Sequence, residues 1–181
     1  MTARPQVRRA LTAITAAMVV TVLLAAGGRW LTHADALPSS GNQVTVPTAV
    51  GRTVWLSAAI STSPPRDGRP AGARLQLRRV TPHVLENSSG ATVDVLLCRR
   101  NADPVGVGAQ FDPPPRQCAS IEPFRSADVI LSQRPGGAVL LVRVTPYRPG
   151  LVRIGGLDIS YRTGLRTGTQ RSGMWMVVPT R

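Results

Sequence analysis

The chain has 181 residues and a formal net charge of +13, with 22 arginines and no lysine. A lysine-free, arginine-rich composition is typical of a chain encoded by a GC-rich bacterial genome. Its 17 glycines and 16 prolines interrupt short Val, Leu and Ile runs throughout, which excludes long helices from most of the chain. Residues 37–181 are enough for one domain with a real core and too few for two of ordinary size.

An uncharged apolar stretch opens the chain. It runs from Ala10 to Gly28 and is preceded by Arg4, Arg8 and Arg9. This pattern predicts a helix inserted in the membrane with the N-terminus in the cytoplasm and all later residues outside. The predicted organisation is a cytoplasmic N-terminus at 1–9, a transmembrane or signal helix at 10–28, a tether at 29–43 and an extracytoplasmic domain at 44–181.

The sequence is consistent with two alternatives for this helix, a cleaved signal peptide or a retained membrane anchor. Ala34-Asp35-Ala36 is a small-x-small site, so cleavage after Ala36 would give a secreted protein. The apolar stretch is longer than the ~7–15 residues of a typical signal-peptide core, and Arg29 with Trp30 form an interfacial stop, which favours a retained single-pass anchor.

The positive charge persists beyond the predicted helix, since residues 37–181 hold 18 arginines against 8 acidic residues. Outside the cytoplasm nucleic acid is excluded as a partner. We therefore expect the membrane itself, other membrane proteins of the envelope, and anionic lipid head groups or wall polymers as partners. Alternatively, a positive charge of this size keeps the domain soluble and has no specific binding role.

Short apolar runs separated by turn residues predict eight or nine strands. The run Val139–Val142 has no polar alternation, which predicts a central strand covered on both faces. Pro82 indicates an edge or a kink, Gly136-Gly137 a hairpin turn, and Gly155-Gly156 either a β-bulge or a hairpin. The predicted strands are Thr53–Ala59, Arg74–Arg78, Val80–Leu85, Thr92–Cys98, Ala127–Ser132, Ala138–Thr145, Leu151–Tyr161 and Met174–Val178.

These elements predict an all-β fold, an antiparallel β-sandwich. Pro146–Tyr161 places a Pro-Gly corner before an alternating strand, and in this it resembles the corner before the penultimate strand of many Ig-like domains. The resemblance implies an Ig-like sandwich in the broad sense. A lipocalin-like or other small barrel is the alternative, because strand patterns do not report closure.

Cys98 and Cys118 are the only cysteines in the chain. In an oxidising extracytoplasmic compartment they are expected to form one disulfide. The intervening segment Arg99–Gln117 contains Pro113–Pro115 and no pattern of a long strand or helix. A redox or metal role is disfavoured because the spacing is not C-x-x-C and no histidine stands near either cysteine.

Catalytic residues are scarce. His83 is the one histidine of the predicted domain, and its position in an apolar run indicates a half-buried or edge-strand residue. No G-x-S-x-G motif is present, and the carboxylates are scattered singly. We therefore predict a protein that is not an enzyme and that uses no metal and no cofactor. The sequence Met174-Trp175-Met176 is typical of core packing rather than of a copper site.

The segment Arg162–Gly173 alternates arginine with Gly, Thr and Ser, and is interpreted as a loop between strands. Arg162, Arg166 and Arg171 are the candidate anion-binding residues, because arginine offers forked donors to phosphate and carboxylate. The sequence thus predicts a non-enzymatic interaction or accessory module of the bacterial cell envelope. The alternative is a binding domain for anionic envelope components through this Arg-Gly segment, which can equally be an ordinary solvated connection.

Overall fold

The computed structural model describes residues 18, 20–24, 27–28, 37, 39–60, 74–102, 107–114, 116–132 and 136–181. The predicted helix at 10–28 lies largely outside these residues, and within it residues 18, 20–24 and 27–28 are helical. In the described part of the chain, no helix has both the length and the hydropathy needed to cross a membrane. The predicted cleavage site at Ala34–Ala36 is also outside the described residues.

The described residues form ten strands, which confirms the predicted all-β fold. The strands are β1 (Ser39–Thr45), β2 (Val54–Ser57), β3 (Leu75–Asn87), β4 (Thr92–Arg100), β5 (Ala109–Gln110), β6 (Cys118–Pro123), β7 (Ala127–Val129), β8 (Ala138–Thr145), β9 (Gly150–Thr163) and β10 (Arg166–Thr180).

Two five-stranded sheets contain these strands, as a sandwich requires. Sheet I has the order β1-β10-β9-β3-β7, and sheet II has the order β5-β2-β8-β4-β6. The expectation of a purely antiparallel fold is wrong at one edge, because β1 pairs with β10 in parallel. The expectation of a tether up to Gln43 is wrong too, because β1 already begins at Ser39 and its backbone groups find partners along β10.

The main core lies between the two sheets. Leu56 and Val142 of sheet II face Leu157, Ile159 and other apolar side chains of sheet I across it. Tyr161 is also fully buried there, and its hydroxyl donates a hydrogen bond to Gln170 Oε1, so the buried phenol has a polar partner.

A second, smaller core covers the outer face of sheet II. Trp55, Leu96, Val139 and Leu141 project outward from three neighbouring strands and pack with Val107 and the two cysteines. Val107 belongs to residues 99–117, here called the disulfide segment, and it is the described residue between the two cysteines that packs in this core. The prediction that β8 is covered on both faces is thereby confirmed, since Ala138–Val142 are all buried.

The predicted disulfide between Cys98 and Cys118 is present, with the two Cα atoms 5.4 Å apart. It connects β4 to β6, which are neighbours within sheet II, so it does not cross from one sheet to the other. Its position at both ends of the disulfide segment fixes that segment over the outer face of the sheet.

Gly155 and Gly156 form a bulge within the continuous strand β9, so the hairpin alternative is wrong. Pro82 and Val84 of β3 pair with Leu157 and Ile154, which leaves two β9 residues opposite one β3 residue. Gly156 has a φ of +93°, a conformation that glycine adopts without strain. The registry of β10 shifts at the same level, between Ser172 and Met176.

Two connections differ from their predictions. Gly136-Gly137 is not a hairpin turn, because β7 pairs in sheet I and β8 in sheet II, so the chain crosses between the sheets there. The segment Arg162–Gly173 is not a loop: β9 and β10 continue through it as a hairpin around the two-residue turn Gly164-Leu165. Paired polar side chains, such as Ser160 and Thr169 with their hydroxyls 3.0 Å apart, hold this hairpin together.

The disulfide gives the first testable prediction. The double variant Cys98→Ala/Cys118→Ala should lose about 3 kcal/mol of unfolding free energy, since closing a loop of 20 residues restricts the unfolded chain. Urea denaturation measures this loss. Reduction of the unmodified protein should produce the same loss, and unchanged stability in both experiments would contradict the assigned role.

The bulge gives a second prediction. Gly156→Ala should destabilise the protein by about 1–3 kcal/mol, because a Cβ there would lie 2.8 Å from the Ser172 carbonyl oxygen in a backbone conformation that disfavours alanine. Gly164→Ala is the matched control: Gly164 also has a positive φ, but no atom lies within 4 Å of the added Cβ. Equal losses in the two variants would show that the close backbone approach is unimportant.

Candidate functional site

The bulge in β9 leaves a groove on the outer face of sheet I, here called the bulge groove. It has a volume of about 350 Å³. Gly155 forms part of its floor, where an added Cβ would lie 3.2 Å from side-chain atoms of His83 and Leu85. The groove is lined by His83, Leu85, Gly155, Arg171, Gly173 and Trp175, with buried Ser172 between them.

One end of the bulge groove is polar. Arg171 donates from Nε to Asp158 Oδ1 at 2.9 Å and from Nη2 to Oδ2 at 3.4 Å. His83 Nδ1 lies 3.5 Å from the same Oδ2 atom. The three side chains come from three adjacent strands, because Asp158 of β9 pairs with Arg171 of β10 and with Thr81 of β3. Asp158 thus binds the Arg171 guanidinium and lies beside the His83 ring.

The other part of the groove is apolar. Trp175 is 42% exposed and Leu85 is 46% exposed, although both are large hydrophobic side chains. The expected core packing of Met174-Trp175-Met176 holds for Met176, which is fully buried, and for Met174, which packs against the main core. It is wrong for Trp175, since strand alternation turns this residue to the outer face.

The structure does not bring the three predicted anion-binding arginines together. Arg162 pairs with Thr167, so it shares the outer face of sheet I with Arg171, four residues further along β10. Arg166 has the opposite parity and projects to the other face. Arg162 donates from Nε to the Gly164 carbonyl oxygen at 2.8 Å, and Arg171 is bound to Asp158 as described. The predicted three-arginine site therefore has no common surface.

The outer face of sheet I is nevertheless basic. Exposed arginines lie on β3, β9 and β10, and strand pairing places four of them on this face, two on β9 and one each on β3 and β10. Asp158, Glu86 and Asp128 of β7 are acidic side chains on this face, so the arginines remain in excess. The four residues are Arg79, Arg153, Arg162 and Arg171.

His83 and Asp158 lie close together in the groove, and the neighbouring Ser172 is 2% exposed. Nowhere in the described part of the chain do three His, Cys, Asp or Glu side chains converge on a common point for a metal ion. The arrangement offers an aromatic surface, an aliphatic wall and a fixed guanidinium, which are groups that make contacts with a partner.

The bulge groove was not predicted from the sequence, although two signals for it exist. Gly155-Gly156 indicates a bulge or a hairpin, and His83 is expected to be half-buried or at a strand edge. In the structure its side chain is 31% exposed, and β7 pairs with β3 only at Leu75–Leu77, which leaves His83 on an unpaired edge. The missing information was the neighbour relation of β3, β9 and β10, which places Leu85 and Trp175 on either side of the bulge.

Comparison with known proteins found no family model that matches this chain, and no curated protein that is significantly similar to it.

Proposed function

We propose that the chain is an extracytoplasmic β-sandwich, Ig-like in the broad sense, that acts as a non-enzymatic interaction or accessory module of the bacterial cell envelope. A retained single-pass helix at 10–28 anchors it to the cell membrane, with cleavage after Ala36 and secretion as the alternative. The uncharged stretch after three arginines supports export. The disulfide supports an oxidising compartment outside the cytoplasm.

The single observation that carries the interaction role is the bulge groove. Interfaces concentrate their binding energy in tryptophan and arginine side chains that stand beside apolar pockets. Trp175 and Leu85 supply the apolar contact area, and Arg171 is held at the rim by Asp158. An envelope protein that presents an apolar side chain flanked by acidic residues has the complementary chemistry.

The location is tested by fusing reporters after Arg181 of the full chain. A periplasmic or extracellular reporter such as alkaline phosphatase should be active, and a reporter that works only in the cytoplasm should be inactive. The reverse result would contradict export. Deleting the arginines at 4, 8 and 9 should lower the fraction of molecules whose C-terminal reporter is outside, because these arginines keep the N-terminus in the cytoplasm.

The interaction role is tested by a photo-crosslinking residue at position 175 in living cells. We expect a discrete crosslinked complex with one envelope protein, which is lost when Leu85→Ser and Arg171→Gln are added. A crosslinker at the exposed position 147, in the connection after β8 of sheet II, is the control. Crosslinking of the same protein with equal yield from both positions would contradict a specific surface on sheet I.

A second candidate function is binding to anionic envelope components, lipid head groups or wall polymers. The observation that favours it is the excess of arginine on the outer face of sheet I, where Trp175 and Leu85 are also exposed. Basic side chains beside exposed aromatic and aliphatic groups suit an anionic lipid surface. Arg162 and Arg171 of the predicted Arg-Gly site belong to this face, and Arg166 does not.

This candidate predicts that the triple variant Arg79→Gln/Arg153→Gln/Arg162→Gln binds anionic vesicles at least about tenfold more weakly, as about 1 kcal/mol per arginine near the surface implies. The full chain is first inserted in neutral phosphatidylcholine nanodiscs, and its capture of separate phosphatidylglycerol vesicles measures the binding. The matched control is Arg99→Gln/Arg116→Gln/Arg125→Gln, three exposed arginines outside this face with the same change in charge. Equal losses would show that only total charge matters.

A further inference from the structure

A second depression lies on the outer face of sheet II. It has a volume of about 420 Å³ and is here called the aromatic pocket. One side is formed by strand residues of β2, β4 and β8, and the other by the end of the disulfide segment and by the connection after β8. Its lining includes Thr53, Trp55, Phe111, Arg143, Thr145 and Tyr147.

Aromatic side chains are concentrated in this pocket. The chain has 3 Trp, 2 Tyr and 2 Phe residues, and one of each kind lines the aromatic pocket. Tyr147 is 61% exposed, and no described contact of its ring explains its presence on the surface. The Arg52 guanidinium carbon lies 3.9 Å from the centre of the Phe111 ring, which fixes that ring from one side.

The polar groups of the pocket are arranged by strand pairing. Asp94, Arg143 and Trp55 stand in one row across β4, β8 and β2. Arg143 donates to Asp94 Oδ2 from Nη2 at 2.7 Å and from Nε at 3.1 Å, and its guanidinium carbon lies 5.7 Å from the centre of the Trp55 ring. The next row contains the hydroxyls of Thr53 and Thr145, 2.8 Å apart.

We propose that the aromatic pocket binds a neutral oligosaccharide of the cell envelope. A sugar ring has apolar C–H faces that stack on aromatic rings and hydroxyl edges that donate and accept hydrogen bonds. The pocket offers both: the exposed Tyr147 ring for the faces, and the threonine hydroxyls with the Arg143–Asp94 pair for the edges. Asp94 balances the charge of Arg143, so this pair favours the hydroxyl groups of an uncharged glycan over a charged ligand.

A proline-rich peptide is the competing occupant, since such peptides also dock in aromatic-lined grooves. The pocket disfavours it in two ways. Three threonines (Thr53, Thr92 and Thr145) and an ion pair give it more hydrogen-bonding groups than proline rings can use. Pro113 of the chain itself also already occupies part of the wall. The volume, about that of an ordinary small-ligand site, suits a short glycan rather than an extended peptide.

The disulfide segment connects this proposal to the fold. Phe111 and Pro113 lie between Cys98 and Cys118, so the same bond that covers the outer face of sheet II also positions one wall of the pocket. The proposal names a ligand class for the envelope module and rests on its extracytoplasmic location for biological meaning. The binding itself is measured on purified protein, so its failure is distinguishable from a failure of the location or of the groove on sheet I.

The experiment is calorimetric titration of the full chain with neutral oligosaccharides of glucose, mannose, galactose, arabinose and N-acetylglucosamine. The protein is kept in a polyoxyethylene detergent, which carries no sugar head group. We expect at least one of these probes to bind. Tyr147→Ala should weaken that binding by at least about tenfold, and Tyr147→Phe should retain most of it. Asp94→Asn should weaken it as well, since Arg143 loses its fixed position.

Trp175→Ala is the matched control, because it removes an exposed aromatic side chain from the bulge groove on the other sheet. It should leave saccharide affinity unchanged. Absence of binding to every probe, equal losses for Tyr147→Ala and Trp175→Ala, or binding of a polyproline peptide in place of the saccharides would each overturn the proposal. Circular dichroism of each variant establishes that it is folded, and Thr145→Val provides a second pocket variant with the same expected loss.

Discussion

Sheet II has apolar side chains on both of its faces, and the second face must be covered by something other than sheet I. The disulfide segment supplies this cover. It places Val107 against Trp55, Leu141 and their neighbours, and the Cys98–Cys118 bond fixes it at both ends. Without the cover, a row of large apolar side chains at the centre of the sheet would face water, at about 25 cal/mol for each Å² exposed.

The outer face of sheet I differs from that of sheet II in being mostly polar. It has no covering segment among the described residues, and accordingly it is polar along most of its length. Cross-strand pairs such as Asp158 with Arg171, and Ser160 with Thr169, keep β9 and β10 together there. The exception is the level of the bulge, where Trp175 is exposed. The two proposed surfaces therefore lie at irregular places in the fold. The bulge groove lies where the pairing of β9 is interrupted, and the aromatic pocket lies beside the disulfide segment that covers sheet II.

Much of the fold was predictable because the pattern of apolar residues indicates where the strands lie and which of their faces are buried. The unbroken run Val139–Val142 predicted a strand buried on both faces, and the pair of glycines at 155 and 156 predicted either the observed bulge or a hairpin. The polar half of the β9–β10 hairpin was mistaken for a loop because neither of its faces is apolar enough to show a period of two. Strand identity there depends on partners across the hairpin, which local sequence does not reveal.

The candidate sites were less predictable than the strands. The spacing of Arg162, Arg166 and Arg171 suggested one cluster in a flexible loop, but in a strand an even spacing keeps side chains on one face and an odd spacing separates them. Arg166 is separated from Arg171 for this reason. The bulge groove and the aromatic pocket each combine residues from three or more chain segments, and the sequence contains no signal for the sheet order that joins them.

The central claim is that the disulfide segment buries the outer face of sheet II. The most direct test is the fluorescence of Trp55 in a Trp30→Phe/Trp175→Phe background, measured before and after reduction. In the oxidised protein Trp55, which is 8% exposed, should emit at short wavelength and resist quenching by acrylamide. After reduction its emission should shift to longer wavelength and quenching should rise, while far-ultraviolet circular dichroism still shows the sheets. An unchanged Trp55 signal after complete reduction of the disulfide would contradict the account.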